Sequence, residues 1–160
     1  MRFIVDGMLG SLTRWLRILG HDVKYSTKFV DNELLEIAGN EDRILLTRDV
    51  ELLQRAKTHQ IRAFCVEEKD EAERLAHLAQ KCSIKLDVDA SVSRCPICGS
   101  PLHQVDKECI CDKVPSGTMK RVSKFWGCDG CGKIYWQGTH WKQINETLNK
   151  AKKIIELESS

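Results

Sequence analysis

Residues 2–20 have the sequence RFIVDGMLGSLTRWLRILG, and this stretch indicates the fold of the first half of the chain. A short apolar run, Phe3–Val5, ends at the carboxylate of Asp6, and a helical pattern of leucines begins almost at once. The pattern stops at Gly20, a residue type that readily adopts the left-handed conformation at which many helices end. The stretch therefore predicts a buried strand, a tight turn and a helix, with Asp6 at the carboxyl end of the strand, where open α/β sheets bind ligands.

Strand and helix patterns alternate three more times before residue 83. We expect strands over residues 22–26, 43–47 and 61–66, and helices over residues 9–19, 31–38, 50–59 and 68–81. A fifth short strand is expected over residues 84–88. Such alternation predicts an α/β fold with a mostly parallel sheet and helices on both faces.

Three aspartates are candidates for one catalytic site. Asp6 and Asp49 follow the first and third expected strands, and Asp31 begins the helix after the second. Right-handed crossovers bring the carboxyl ends of such strands to one edge of the sheet. Carboxylates held close together repel one another, and a bound cation is the usual compensation. Asp31 and Asp49 are also good helix N-caps, which is a purely structural explanation for both.

Three arginines are candidate phosphate ligands near this edge. Arg14 and Arg17 lie three residues apart on one face of the first helix, and Arg48 precedes Asp49. Guanidinium groups bind phosphate well, but a pair of solvated arginines is the simpler explanation for Arg14 and Arg17. The sequence by itself favours that simpler explanation.

Overall charge does not select a class of partner. The 160-residue chain has a net charge of only +2. Residues 1–92 hold 14 basic and 16 acidic side chains, whereas residues 93–160 hold 11 and 7, so the two parts carry −2 and +4. This distribution fits a cation-binding part followed by an anion-binding part. No apolar run approaches the ~20 residues of a membrane span and no signal-peptide pattern opens the chain, so we expect a cytoplasmic protein without membrane contact.

Four of the eight cysteines form two CxxCG units, in Cys95–Gly99 and Cys128–Gly132. Each unit is a tight turn that presents two thiolates, and two units can close a tetrahedral Cys₄ zinc site with a structural role. The predicted zinc ligands are Cys95, Cys98, Cys128 and Cys131. Because composition changes near residues 89–93, we expect a first, α/β domain over residues 1–90. A zinc module with a C-terminal amphipathic helix, residues 143–157, then occupies residues 91–160.

The remaining cysteines and the aromatic segment leave alternatives open. Cys109 and Cys111 are either alternative metal ligands, part of a second site or two thiols on a strand. We leave them outside the quartet. Residues 134–141, IYWQGTHW, are either a base-stacking platform or the core of the small zinc module. The core explanation is favoured for Tyr135 and Trp136, and both stay open for His140 and Trp141.

Four segments, taken in order, resemble one protein family. They are VDGMLGSLTRWLR at 5–17, LLTRD at 45–49, RCPIC at 94–98 and YWQGTHW at 135–141. Any one of them is weak, but four in the right order are specific to the Mut-seven C-terminal ribonuclease domain family. The resemblance covers roughly residues 1–145.

The resemblance implies a PIN-like α/β domain carrying a zinc ribbon, with metal-dependent ribonuclease activity on RNA. It implies that Asp6, Asp31 and Asp49 form the catalytic acidic cluster. Asp6 and Asp49 are expected as direct ligands of Mg²⁺ or Mn²⁺, and Asp31 as a ligand or as the residue that orients the attacking water. PIN nucleases generally use a fourth acidic residue, for which Glu33 and Glu51 are candidates. For phosphodiester hydrolysis at this cluster, Arg14, Arg17 and Arg48 are the candidates that offset charge on the phosphate in the transition state.

Two other functions are compatible with the sequence. One is a non-catalytic RNA- or ribosome-binding protein whose acidic cluster is structural. The other is a toxin-like or protein-interaction module that uses the ribbon as its contact surface. Metal-dependent turnover distinguishes the enzyme from the first, and RNA affinity at low salt distinguishes both from the second.

Overall fold

The computed structural model of the chain describes residues 1–160 and contains a parallel sheet, an antiparallel sheet and six α-helices. The strands of the parallel sheet are β1 (Arg2–Val5), β2 (Asp22–Tyr25), β3 (Ile44–Thr47) and β4 (Ala63–Cys65). The helices that follow them are α1 (Gly10–Ile18), α2 (Asp31–Asn40), α3 (Val50–Thr58) and α4 (Glu71–Cys82). The strand order is β2-β1-β3-β4, so β1 and β3 lie side by side at the centre. The predicted parallel α/β sheet is confirmed.

Both faces of the parallel sheet are covered because consecutive residues of β1 point into different cores. Phe3 and Val5 belong to a core of 19 residues that includes α1 and α4. Ile4 belongs to a core of seven residues formed with α2 and α3. The central strands β1 and β3 are therefore buried without alternation, whereas the edge strand β2 buries only Val23.

The second sheet is antiparallel and lies in the zinc-module half of the chain. Its strands are β5 (Leu102–Val105), β6 (Phe125–Cys128) and β7 (Ile134–Tyr135), in that order. Helix α5 (Ser116–Arg121) precedes β6, and helix α6 (Thr139–Glu158) ends the chain. A core of only three fully enclosed residues, Ile110, Val114 and Phe125, supports this half. Trp136 packs against it, with its ring centroid 5.8 Å from that of Phe125.

Two expectations about the second half differ from the structure. Residues 84–88 form no strand, although Ile84 and Leu86 alternate into the large core as strand residues would. Helix α6 begins at Thr139 rather than at residue 143, and it packs along α4. Its Leu148 and Ala151 are members of the 19-residue core. The division at residue 90 stays a prediction, but the C-terminal helix is physically part of the first core. None of the helices is both long and apolar enough to cross a membrane.

A buried arginine fastens the amino-terminal edge of the parallel sheet. The Arg43 side chain is 3% exposed and donates hydrogen bonds to Phe3 O at 3.1 Å, Asp22 Oδ1 at 3.1 Å and Glu41 Oε2 at 2.6 Å. Lys24 adds a further contact to Glu41, with its Nζ 2.5 Å from Oε1. Hydrogen bonds from Lys24 and Arg43 lower the pKa of Glu41 to about 2. This network joins β1, β2 and the start of β3.

We expect Arg43→Met to lower the free energy of unfolding by about 2 kcal/mol, because it leaves the Phe3 carbonyl and the partly exposed carboxylates of Asp22 and Glu41 without their shared donor. Urea denaturation at pH 7 measures this loss. Arg62→Met is the matched control, since Arg62 is exposed and forms no ion pair. Equal stability of the two variants would contradict a structural role for the Arg43 network.

Candidate active site and metal centre

Thr47 connects two of the predicted catalytic aspartates. Its Oγ1 donates a hydrogen bond to Asp6 Oδ2 at 2.8 Å and accepts one from the Asp49 N–H at 3.0 Å. Thr47 ends β3, whose neighbour β1 ends immediately before Asp6, and its side chain is fully buried. The hydroxyl therefore fixes the position of both residues that follow these strands. The only feature of the sequence that pointed to Thr47 was its position at the end of the strand, two residues before Asp49.

The carboxylates of Asp6 and Asp49 each keep one oxygen without a protein partner. Asp49 is the N-cap of α3, as expected, and its Oδ1 accepts from the N–H groups of Glu51 at 2.9 Å and Leu52 at 3.3 Å. Asp6 uses Oδ2 for Thr47. The remaining oxygens, Asp6 Oδ1 and Asp49 Oδ2, make no hydrogen bond. Two half-exposed carboxylates thus offer the oxygen ligands that hard divalent cations prefer.

Asp31 lies at the same sheet edge but has a different partner. It is the first residue of α2 rather than its N-cap, which is Val30. Its exposed carboxylate lies 3.8 Å from the guanidinium of Arg55 on α3. No contact joins Asp31 to Asp6 or Asp49. The structure therefore links the Asp6 carboxylate to the Asp49 backbone through Thr47 and leaves Asp31 in an ion pair with Arg55.

The two candidates for a fourth acidic residue, Glu33 and Glu51, lie on different helices. Glu33 Oε2 accepts from the Val30 N–H at 3.0 Å, so this side chain closes the start of α2. Glu51 is exposed on the first turn of α3. A glutamate not considered from the sequence, Glu67, follows β4 and lies 3.6 Å from the Cys65 thiol, which is paired in register with Thr47. Glu67 thus reaches the same edge, and its position directly after a strand was the available signal.

The three predicted phosphate-binding arginines do not share one environment. Arg14 and Arg48 are exposed, on α1 and just after β3 respectively. Arg17 is only 7% exposed, and its guanidinium donates to the carbonyl oxygens of Val23 at 3.0 Å and Ile97 at 3.1 Å. The phosphate contact of Arg17 stays a prediction; in the structure backbone carbonyls occupy its guanidinium, because the first CxxCG turn packs on the end of α1. Arg17 thereby joins the parallel sheet to the zinc module.

Four cysteines form the one group in the structure with metal-ligand geometry. The Sγ atoms of Cys95, Cys98, Cys128 and Cys131 all lie within 4.8 Å of one another. The Cys95–Cys131 separation is 3.7 Å and the Cys98–Cys128 separation is 3.3 Å. Zinc–sulfur bonds of about 2.3 Å in a tetrahedron require sulfurs about 3.8 Å apart. The predicted quartet is therefore confirmed as a cluster that can hold a metal such as zinc.

The local backbone explains how each CxxCG turn presents its thiols. The glycines after Cys98 and Cys131 have positive φ, +80° at Gly99 and +75° at Gly132, which other residues rarely adopt. Hydrogen bonds from the Ser100 side chain and backbone lower the pKa of Cys98 to about 6. Burial raises the pKa of the neighbouring Cys128 thiol to about 12, so Cys98 is the thiolate and Cys128 the proton donor in their 3.3 Å contact.

The other thiols lie outside this cluster. Cys109 and Cys111 are exposed, and Cys109 ends a 3₁₀ turn, Lys107–Cys109, so these thiols do not lie on a strand. Cys82 is buried and Cys65 is half-buried, in keeping with free thiols in the first half of the chain. Burial raises the pKa of both thiols.

Residues 1–148 match the family model of the Mut7-C RNAse domain. The chain belongs to the Mut7-C RNAse domain family. The match includes the β1–Asp6 turn, Thr47, Asp49 and all four clustered cysteines. No curated protein and no solved structure matches the chain. Membership of the Mut7-C family supports a ribonuclease-like function and implies RNA as the substrate.

Proposed function

We propose that this chain is a metal-dependent ribonuclease that hydrolyses RNA phosphodiester bonds at the sheet edge between Asp6 and Asp49. The observation that carries the proposal is the Thr47 hydroxyl, which holds Asp6 and the start of α3 in fixed positions. A catalytic site needs such fixed geometry, because a cation gains little from carboxylates that must first be ordered. Family membership supplies the substrate class.

In this proposal Asp6 and Asp49, through their free carboxylate oxygens, would hold Mg²⁺ or Mn²⁺, and Asp31 would help to orient the attacking water. The bound ion supplies Lewis-acid polarisation of the phosphate and lowers the pKa of the water. Arg48, exposed beside Asp49, and Arg14 offset the charge that develops on the phosphate oxygens. Glu67 is the glutamate best placed to complete the acidic set, since it follows the strand next to β3.

The cysteine cluster has a separate role in the proposal. Four thiolates fill the coordination sphere of a tetrahedral zinc ion, so the metal is structural and binds no water. The ribbon that it stabilises belongs to the basic part of the chain and assists RNA binding through phosphate contacts. A cytoplasmic location stays a prediction.

A non-catalytic RNA-binding protein is the second candidate, and two contacts favour it. Asp49 caps α3 and Asp31 pairs with Arg55, so both carboxylates have structural partners. Metal-dependent turnover separates the two functions.

We expect Asp49→Asn to reduce Mn²⁺-dependent RNA cleavage by about 100-fold while the fold is kept. Asparagine caps a helix as well as aspartate does, so the substitution removes the charge and leaves α3 intact. Cleavage of a single-stranded RNA is measured with added Mn²⁺ and without it, for wild type and variant. Glu36→Gln, a charge loss at an exposed residue of α2 that forms no hydrogen bond or ion pair through its side chain, is the matched control and keeps full activity.

The enzyme proposal fails if wild type shows no cleavage that depends on Mn²⁺ or Mg²⁺. It also fails if the Asp49→Asn variant cuts as fast as wild type.

A further inference from the structure

A groove of about 890 Å³ lies between the zinc module and the first core. One wall comes from the ribbon, with Leu102 and Trp136, and from Arg121 of α5. The other comes from the start of α6, with Trp141, and from Ile18 at the end of α1. Half of the lining residues are apolar, and none of them is an aspartate or a glutamate. The groove is large enough for a nucleotide-sized ligand.

Trp141 is the aromatic ring in this groove that the protein's own packing does not explain. It is half-buried, lines the groove and also lines a smaller adjoining cavity of about 70 Å³. It belongs to none of the three apolar cores and packs against none of them. Trp136, in contrast, packs against Phe125 and its core. The ring of Trp141 is therefore available to a flat partner in the groove.

The charge of the groove indicates which kind of planar ligand it can bind. Arg121 is exposed, and its one hydrogen bond is the contact from Nε to Gly117 O, at 3.2 Å within its own helix. The first turn of α6 contains no acidic residue. An arginine and a tryptophan in one groove whose lining contains no carboxylate are complementary to an unpaired nucleotide, which presents a flat base and an anionic phosphate.

We propose that this groove binds an unpaired segment of the RNA substrate, with a nucleobase stacked on Trp141 and a phosphate held by Arg121. The inference rests on the proposed ribonuclease function and makes single-stranded RNA its substrate class. A base paired within a duplex has no free face to offer Trp141, so the groove rejects double-stranded RNA.

The distance from the groove to Asp6 sets a minimum length for an RNA that is cut efficiently. Ile18 lines the groove at one end of α1, whereas Asp6 lies just before the other end. Nine helical residues span about 13 Å, so the bound segment must continue along the module boundary to reach the acidic edge. Oligouridines that are too short to span both places bind the groove and escape efficient cleavage.

The test measures RNA binding in a variant that is expected not to cut the RNA efficiently. Full-length, zinc-loaded protein with Asp6→Asn is titrated into fluorescein-labelled oligouridine, and anisotropy gives the affinity. We expect Trp141→Ala to weaken binding by about 10-fold or more and Trp141→Phe to keep most of it, because stacking contributes roughly 1–3 kcal/mol per base. Arg121→Glu weakens binding and flattens its salt dependence, whereas Arg62→Glu, an exposed residue of the first half, does neither.

Unchanged affinity in the Trp141→Ala variant overturns the proposal, as does equal affinity of wild type for duplex and for oligouridine. If Trp141→Ala loses its zinc or its fold, Arg121→Glu decides instead, and an unchanged affinity there also overturns it and leaves the groove to a protein partner. If the wild-type protein shows no metal-dependent cleavage but binding still depends on Trp141, only the enzyme proposal is contradicted. The two failures are therefore distinguishable.

Discussion

Replacing Cys98 with serine is expected to remove the bound metal and unfold the zinc module while the parallel sheet keeps its structure. Structural zinc sites contribute about 10–16 kcal/mol of binding free energy, which is also folding free energy. The module has only three fully enclosed core residues of its own, so its sheet depends on the metal. Helix α6 stays folded, because Leu148 and Ala151 are buried in the large core.

Three observables separate these outcomes. Metal analysis of wild type gives about one zinc per chain, and the Cys98→Ser variant gives almost none. Near-ultraviolet circular dichroism reports the module, since Trp126 lies in its sheet and Trp136 follows β7, while far-ultraviolet dichroism reports the retained helices. Cys109→Ser is the matched control, because this thiol is exposed and outside the cluster. A Cys98→Ser protein with full zinc content and a folded module would show that the quartet is not the metal centre.

Asp6→Asn is expected to reduce cleavage by about 10²–10³-fold without changing the fold. The amide oxygen still accepts the hydrogen bond from Thr47, so the local structure is kept while the charge that holds the cation is lost. Asp31→Asn is expected to have a smaller effect, because Asp31 is exposed and already paired with Arg55. The rate at saturating Mn²⁺ measures both variants against wild type.

A thermal melt of each variant separates a lost charge from a lost fold. Asp6→Asn with wild-type turnover at saturating Mn²⁺ would remove Asp6 from the mechanism. If Asp31→Asn instead lost as much activity as Asp6→Asn, Asp31 would be a direct ligand and the Arg55 pair would open during catalysis.

The fold could be predicted because its signals are local. The apolar run Phe3–Val5 indicated a strand buried on both faces, and β1 does lie in the middle of the parallel sheet. Asp49 was predicted as a helix cap, and it accepts the backbone N–H groups of α3. The two CxxCG units predicted paired turns, and their glycines have the positive φ that such turns require. Each of these features depends on residues within a few positions of one another.

The candidate site could be predicted only in part, because contacts between distant residues decide what a side chain does. Thr47 is an ordinary strand residue until β1 places Asp6 2.8 Å from its hydroxyl, 41 positions away. Arg17 and Arg14 share one helix face, yet the Arg17 guanidinium donates a hydrogen bond to the carbonyl of Ile97, 80 positions later.

The sequence by itself thus determined the parallel α/β fold, the cysteine quartet and the family. The tertiary structure alone decided which side chains are free to act. It paired Asp31 with Arg55, buried Arg17 under the first CxxCG turn and returned α6 to the first core. The physical reason is that backbone propensity and periodicity operate over a few residues, whereas the burial and pairing of a charge depend on which elements pack together.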